Sequence, residues 1–122
     1  MSSSYPIWKL SNNATSSGTI CHTGNLNWNT IEADSFQINY IDSSNTIQTL
    51  WFRYLGQLLQ NFPIVYLSVS SDQNDQPNNA LYIVKSIKQN NNIYTIGVQY
   101  RSSTRAKIGE IGSNLKLTYY AS

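Results

Sequence analysis

Residues Ser35 to Val69, SFQINYIDSSNTIQTLWFRYLGQLLQNFPIVYLSV, change their hydrophobic period twice, and that double change sets the fold class. Phe36, Ile38 and Tyr40 alternate with Gln37 and Asn39, the period of a strand with one buried face. Ile47, Leu50, Trp51, Tyr54, Leu55, Leu58 and Leu59 then recur at the spacing of an amphipathic helix, which is expected from Thr46 to Gln60. Asn45 is placed to cap it, and Gln48 three residues on completes a capping-box pattern. Gly56 weakens the helix, and Pro63 ends it by pushing Phe62 out of the helical region. Ile64-Val-Tyr-Leu-Ser-Val69 is an unbroken run of β-branched and aromatic residues, which reads as a central strand.

The period of two returns on both sides of this stretch. Thr19 to Thr23 reads as a first strand, and Asn25 to Thr30, with Trp28, as a loop or a short irregular strand. Leu81–Ile87 and Ile93–Arg101 flank Lys88-Gln-Asn-Asn-Asn92 and form a hairpin. Leu115–Tyr120 closes the sheet, while Ser70–Asn79 and Ser102–Gly112 read as polar loops. The expected fold is mainly β: a small antiparallel β-barrel or sandwich of six to seven strands with one amphipathic helix. Its expected core is Phe36, Ile38, Tyr40, Leu50, Tyr54, Leu58, Val65, Leu67, Ile83, Ile96, Val98, Leu115 and Leu117. Residues 17–122 form this single domain, preceded by an N-terminal arm, 1–16. Within the arm Tyr5, Ile7, Trp8 and Leu10 interrupt an otherwise Ser/Asn-rich tail. They are too apolar to stay in water, so they are expected to bind a partner subunit.

Composition narrows the function classes. Charged residues make up 11% of the 122, well below the ordinary share, so Asn, Gln, Ser and Thr must solvate the surface. A net charge of +2 is too small to point to nucleic acid. The excess of Lys85, Lys88, Arg101, Arg105, Lys107 and Lys116 over Glu110 fits solvated turns and edge strands. Cys21 is single, which excludes an internal disulfide and a cysteine metal cluster. Neither a basic, apolar leader nor a membrane-length apolar run is present, so no membrane partner is expected.

Catalytic constellations are weak throughout. His22 is the only histidine, and in a strand its neighbours Cys21 and Thr23 point to the opposite face, which defeats a Cys/His nucleophile pair. Glu32 and Asp34 share a face when extended, but no second acidic pair faces them. Asp72 and Asp75 have the composition of a calcium loop without its glycine and terminal glutamate. No enzyme, metal or cofactor is therefore expected. Nine tyrosines with abundant amides would suit a sugar-binding surface, since rings stack on pyranose faces and amides bond hydroxyls.

The series Phe36-Gln-Ile-Asn-Tyr-Ile-Asp42, Trp51-Phe-Arg-Tyr-Leu55, Ile64-Val-Tyr-Leu-Ser-Val69, Ala80-Leu-Tyr-Ile-Val-Lys-Ser-Ile87, Ile93-Tyr-Thr-Ile-Gly-Val-Gln-Tyr100 and Leu115-Lys-Leu-Thr-Tyr-Tyr120 resembles a structural module. That module belongs to virion proteins of tailed bacteriophages, especially phages of marine bacteria, and of some large algal viruses. It usually carries Gly-Asp before its central strand, where this chain has Asn61-Phe-Pro63, and it usually sits repeated inside long fibres. The resemblance therefore implies a small free-standing virion component: a decoration, head-fibre, collar or tail-adaptor protein of a particle assembled in a host cytoplasm. Its implied partners are other capsid or tail proteins and further copies of itself. The alternative, which the aromatics and amides motivate, is a carbohydrate- or host-surface-binding module of a tail fibre or adhesin.

Overall fold

The computed structural model describes residues 5–23, 34–71, 78–104, 109 and 111–122. Seven strands and one helix follow in the order β1 (Ile7–Leu10), β2 (Thr19–Thr23), β3 (Ser35–Asn39), α1 (Thr49–Asn61), β4 (Val65–Ser71), β5 (Asn78–Asn90), β6 (Ile93–Ser103) and β7 (Asn114–Ala121). Hydrogen bonding runs round a closed barrel in the order β1-β2-β3-β6-β5-β4-β7, so the expected small β-barrel with one helix is the fold. Every pairing is antiparallel except β1 with β2, which run parallel in the register Lys9↔Thr19 and Leu10↔Ile20. Closure abolishes free sheet edges, which a seven-stranded open sheet would have to shield otherwise.

Alternation decides what faces inward. Val65, Leu67, Val69 and Ser71 of β4 are buried, and the residues between them are half-exposed. Tyr94, Ile96 and Val98 of β6 and Leu115 and Leu117 of β7 follow the same rule. In β5 the register shifts between Leu81 and Tyr82 and again between Val84 and Ser86, irregularities of the kind that curve a sheet towards closure. The β5–β6 hairpin turns at Asn91 and Asn92, with Asn91 in the left-handed region at φ 57°, a conformation asparagine tolerates. β4 and β6 run further than expected, into the supposed polar loops as far as Ser71 and Ser103. The expected irregular segment Asn25–Thr30 lies outside the described residues.

The N-terminal arm is corrected. Residues 7–10 are a strand of the barrel itself, bonded to β2 on one side and to β7 on the other. Trp8 and Leu10 are 0% and 1% exposed, so they sit in this chain's own core, while Tyr5 (55%) and Ile7 (37%) face outward. The apolar residues of the tail are anchored because a strand puts every second side chain inside. The domain therefore begins well before residue 17.

The capping expectation is corrected as well. Asn45 occupies a left-handed turn at φ 66°, and α1 starts at Thr49 with no side-chain cap. The Gln48 amide instead donates to Asp42 Oδ2 at 2.7 Å. Asp42 Oδ1 accepts from the Ser44 N–H (2.9 Å), the Ser44 hydroxyl (2.7 Å) and the Thr46 N–H (3.0 Å), so this carboxylate organises the turn into the helix. Burial acts to raise its pKa, but the bonds from Ser44, Gln48 and Thr46 outweigh it and hold the carboxyl below the ordinary range.

Candidate interaction surface

α1 lies over one end of the barrel, and aromatic rings fill the space beneath it. Phe52 stacks on Tyr94 with ring centroids 3.9 Å apart and planes 3° from parallel. Trp8 lies 5.3 Å from Trp51 and 5.8 Å from Phe52, and Trp51 lies 4.7 Å from Tyr119. The indole N–H of Trp8 donates to the carbonyls of Asn39 (2.9 Å) and Ile41 (3.1 Å). The Tyr119 hydroxyl donates to the Trp51 carbonyl, tying the end of β7 to the first turn of the helix. Tilted and edge-on ring pairs of this kind add to what their burial contributes.

The face of α1 that meets this plug is not the expected one. Phe52 and Leu55 are buried, and Trp51, Leu58 and Leu59 are half-buried against them. Leu50 (72% exposed), Tyr54 (57%) and Ile47 (63%), just before the helix, point to solvent. The helix carries an apolar arc wider than the barrel end can cover, because Phe52 belongs to it in addition to the seven residues of the expected stripe. Leu50 and Tyr54 therefore leave the expected core, while Tyr40, Leu58 and Ile83 are only partly covered.

The uncovered side forms one stripe. Leu50 and Tyr54 lie on the outer side of α1, Ile47 just before it and Phe62 and Ile64 just after it, all exposed, with the half-buried Leu58 between them. Arg53 is the single charged residue within α1. Beside the helix runs a shallow cleft of about 260 Å³, bounded by Phe52, Arg53, Gly56, Ile87, Gln89 and Tyr94. A smaller one of about 210 Å³ lies between Tyr5-Pro-Ile7 and the turn at Asp42. On the outer wall Tyr66 of β4 and Tyr120 of β7 are paired across the strands, with ring centroids 5.3 Å apart.

The other residues singled out in the sequence do not converge. Cys21 and His22 lie on opposite sides of β2: the Cys21 thiol approaches Gln37 Oε1 at 3.5 Å, while the His22 ring meets the edge of Phe36 at 5.9 Å. Burial pushes the Cys21 thiol pKa up, despite a lowering contact with Gln37, which removes thiolate character. Among the described residues no three His, Cys, Asp or Glu side chains come together as metal ligands. Glu32, Asp72 and Asp75 lie outside the described residues, and Asp34 is exposed at the start of β3. No described helix is long and apolar enough to cross a membrane. Of the four residues assigned to partner binding, Tyr5 and Ile7 remain on the surface, whereas Trp8 and Leu10 do not.

Comparison with known proteins returned no match: no family model fits this chain, and no curated protein or solved structure is significantly similar to it.

Proposed function

We propose that this chain is a structural subunit that works by assembly, a component of a viral particle in the capsid, collar or tail. The observation that carries this reading is the stripe of Leu50 and Tyr54, left exposed on the outer side of α1, with Ile47 exposed just before the helix, while Phe52 and Leu55 on its other side are buried against the barrel. Contiguous apolar surface of this kind marks a protein contact rather than a solvated face. The viral setting comes from the sequence resemblance of the series from Phe36 to Tyr120 to the virion module. The contact surface is α1, not the tail expected to supply it. The test is quantitative mass spectrometry of purified particles from the virus that encodes the chain. A fixed stoichiometry to the major capsid or tail protein is expected, and absence from the particles would overturn the reading.

A second reading has its own observation. The Tyr66–Tyr120 pair presents rings on the outer wall, with the half-buried Ser68 and Thr118 paired across the same two strands. Rings beside hydroxyls suit a neutral sugar, which makes a host-surface glycan the alternative ligand. A glycan array with Tyr120→Ala as control tests it: binding that the substitution abolishes supports this role.

A further inference from the structure

We infer that the outer face of α1 is covered by the same face of a second copy of this chain. The inference rests on the assembly reading above and names its first partner.

Three features of the stripe fit a second copy and weigh against a membrane or a small ligand. The first is area. Ile47, Leu50, Tyr54, Phe62 and Ile64 are 63, 72, 57, 44 and 38% exposed. With large side chains of roughly 150–250 Å² each, they present on the order of 600 Å². That is at the upper limit of the apolar patches monomers leave open, about 300–600 Å². With the polar rim of Thr46, Gln57 and Asn61 it approaches the roughly 800 Å² per partner of a standard stable interface.

The second is charge. Between Ile47 and Ile64 the chain carries one charged residue, Arg53, which borders the cleft beside the β5–β6 hairpin. Two copies of the patch can therefore meet without like charges opposed at the centre, as the charge-depleted cores of homodimer interfaces do. A helix that lies on an anionic membrane carries a polar face rich in lysine and arginine, whereas this one offers Thr49, Arg53, Gln57, Gln60 and Asn61.

The third is shape. The stripe is centred on the outward side of a single helix, with Ile47 before it and Phe62 and Ile64 after it, and is not a groove, so it gives a small ligand no concavity. A convex row of side chains packs best between the rows of another helix. Under a twofold axis the facing helix is its own copy, which presents the same row in return.

Sedimentation velocity on the full chain, from about 1 µM to about 1 mM, tests the inference. The expected result is a concentration-dependent doubling of the 13.8 kDa monomer mass. Leu50→Asp should weaken the association at least about thirtyfold, because it places a charge in a desolvated interface. Ile111→Asp, three residues before β7 and 51% exposed in the wild type, should leave it unchanged. Near-UV circular dichroism checks that both variants keep the barrel. Leu50→Cys adds a reading that needs no disruption: on mild oxidation it should form a covalent dimer faster than Ile111→Cys.

A chain that is monomeric across the whole range overturns the inference, as does a dimer indifferent to Leu50→Asp. Binding of the monomeric chain to phosphatidylserine vesicles assigns the face to a membrane and overturns it too. The assembly reading fails separately. A monomeric chain found in particles would remove the second copy and leave that reading, whereas a dimer absent from particles would do the reverse.

Discussion

Trp8 shows how one side chain can carry both packing and polarity. It is fully buried, touches two rings of α1 and donates its N–H to two carbonyls at the end of β3 and just beyond. Trp8→Ala is expected to cost about 3–5 kcal/mol in urea denaturation, the loss typical of a buried ring. Trp8→Phe should cost less, about 1–3 kcal/mol, because it keeps most of the packing but strands the carbonyl acceptors. Tyr119 makes the pH dependence legible at the same scale. Burial first, with neighbouring Tyr54 adding, pushes its pKa up to about 12, against an ordinary value of 10.0. Above pH 10 the unfolded chain therefore releases this proton while the folded chain still holds it. Stability must then fall as pH rises towards 12. Tyr82, raised by burial and by Tyr100, adds to the same slope. Urea titrations at stepped alkaline pH should show this decline, shallower in Tyr119→Phe. An unchanged slope in that variant would remove Tyr119 from the account.

The two sides of α1 separate what holds the element in place from what it offers outward. Leu55 is fully buried under the helix, so Leu55→Ala should cost about 2–5 kcal/mol. Leu50→Ala, measured on the dilute monomer, should change stability by less than about 0.5 kcal/mol. Equal losses at the two positions, read from chemical denaturation, would show that the helix is seated differently. Periodicity located this helix to within three residues at its start but mistook its inner face. Phe52 lies one position off the expected stripe and so falls outside it, although Phe52, Leu55 and Leu59 are themselves spaced as a helical face. Two apolar stripes side by side give one wide arc, and only the shape of the barrel end decides which half is covered. The period-two segments were more telling: Phe36, Ile38, Ile96, Val98, Leu115 and Leu117 point inward as their alternation requires. β1 is not legible in the sequence because four residues between Ser/Asn-rich flanks are too few to establish a period. The candidate contact surface had no motif to announce it, since what defines it is surface left uncovered after folding.

At the scale of the whole molecule, the barrel is closed by its shortest strand. Among the described residues β1 alone links β2 and β7, pairing Ile7 with Lys116 and Trp8 with Leu115 on one side and Leu10 with Ile20 on the other. This seam joins segments more than a hundred residues apart in sequence, so its loop-closure entropy must be met before the contacts are gained. Without it, two edges would be laid open, and the inner end of the core would lose Trp8 and Leu10 together. Lys9 also fixes the following turn by donating its backbone N–H to the Gly18 carbonyl at 2.7 Å. Gly18 stands at φ 81°, where a Cβ would lie 3.1 Å from the Ser43 backbone, so no other residue fits that crossing without strain. A chain lacking residues 1–10 should therefore fail to reach the native barrel. The expected result is loss of the near-UV circular dichroism signal and of the cooperative thermal transition, with self-association through the exposed edges in sedimentation. A tail serving only a partner would give the opposite outcome: an intact, monomeric barrel with an unchanged transition. Supplying residues 1–12 as a separate peptide separates closure from mere destabilisation. Recovery of the native signal at saturating peptide would show that β1 acts by filling the gap between β2 and β7, as its two ladders require.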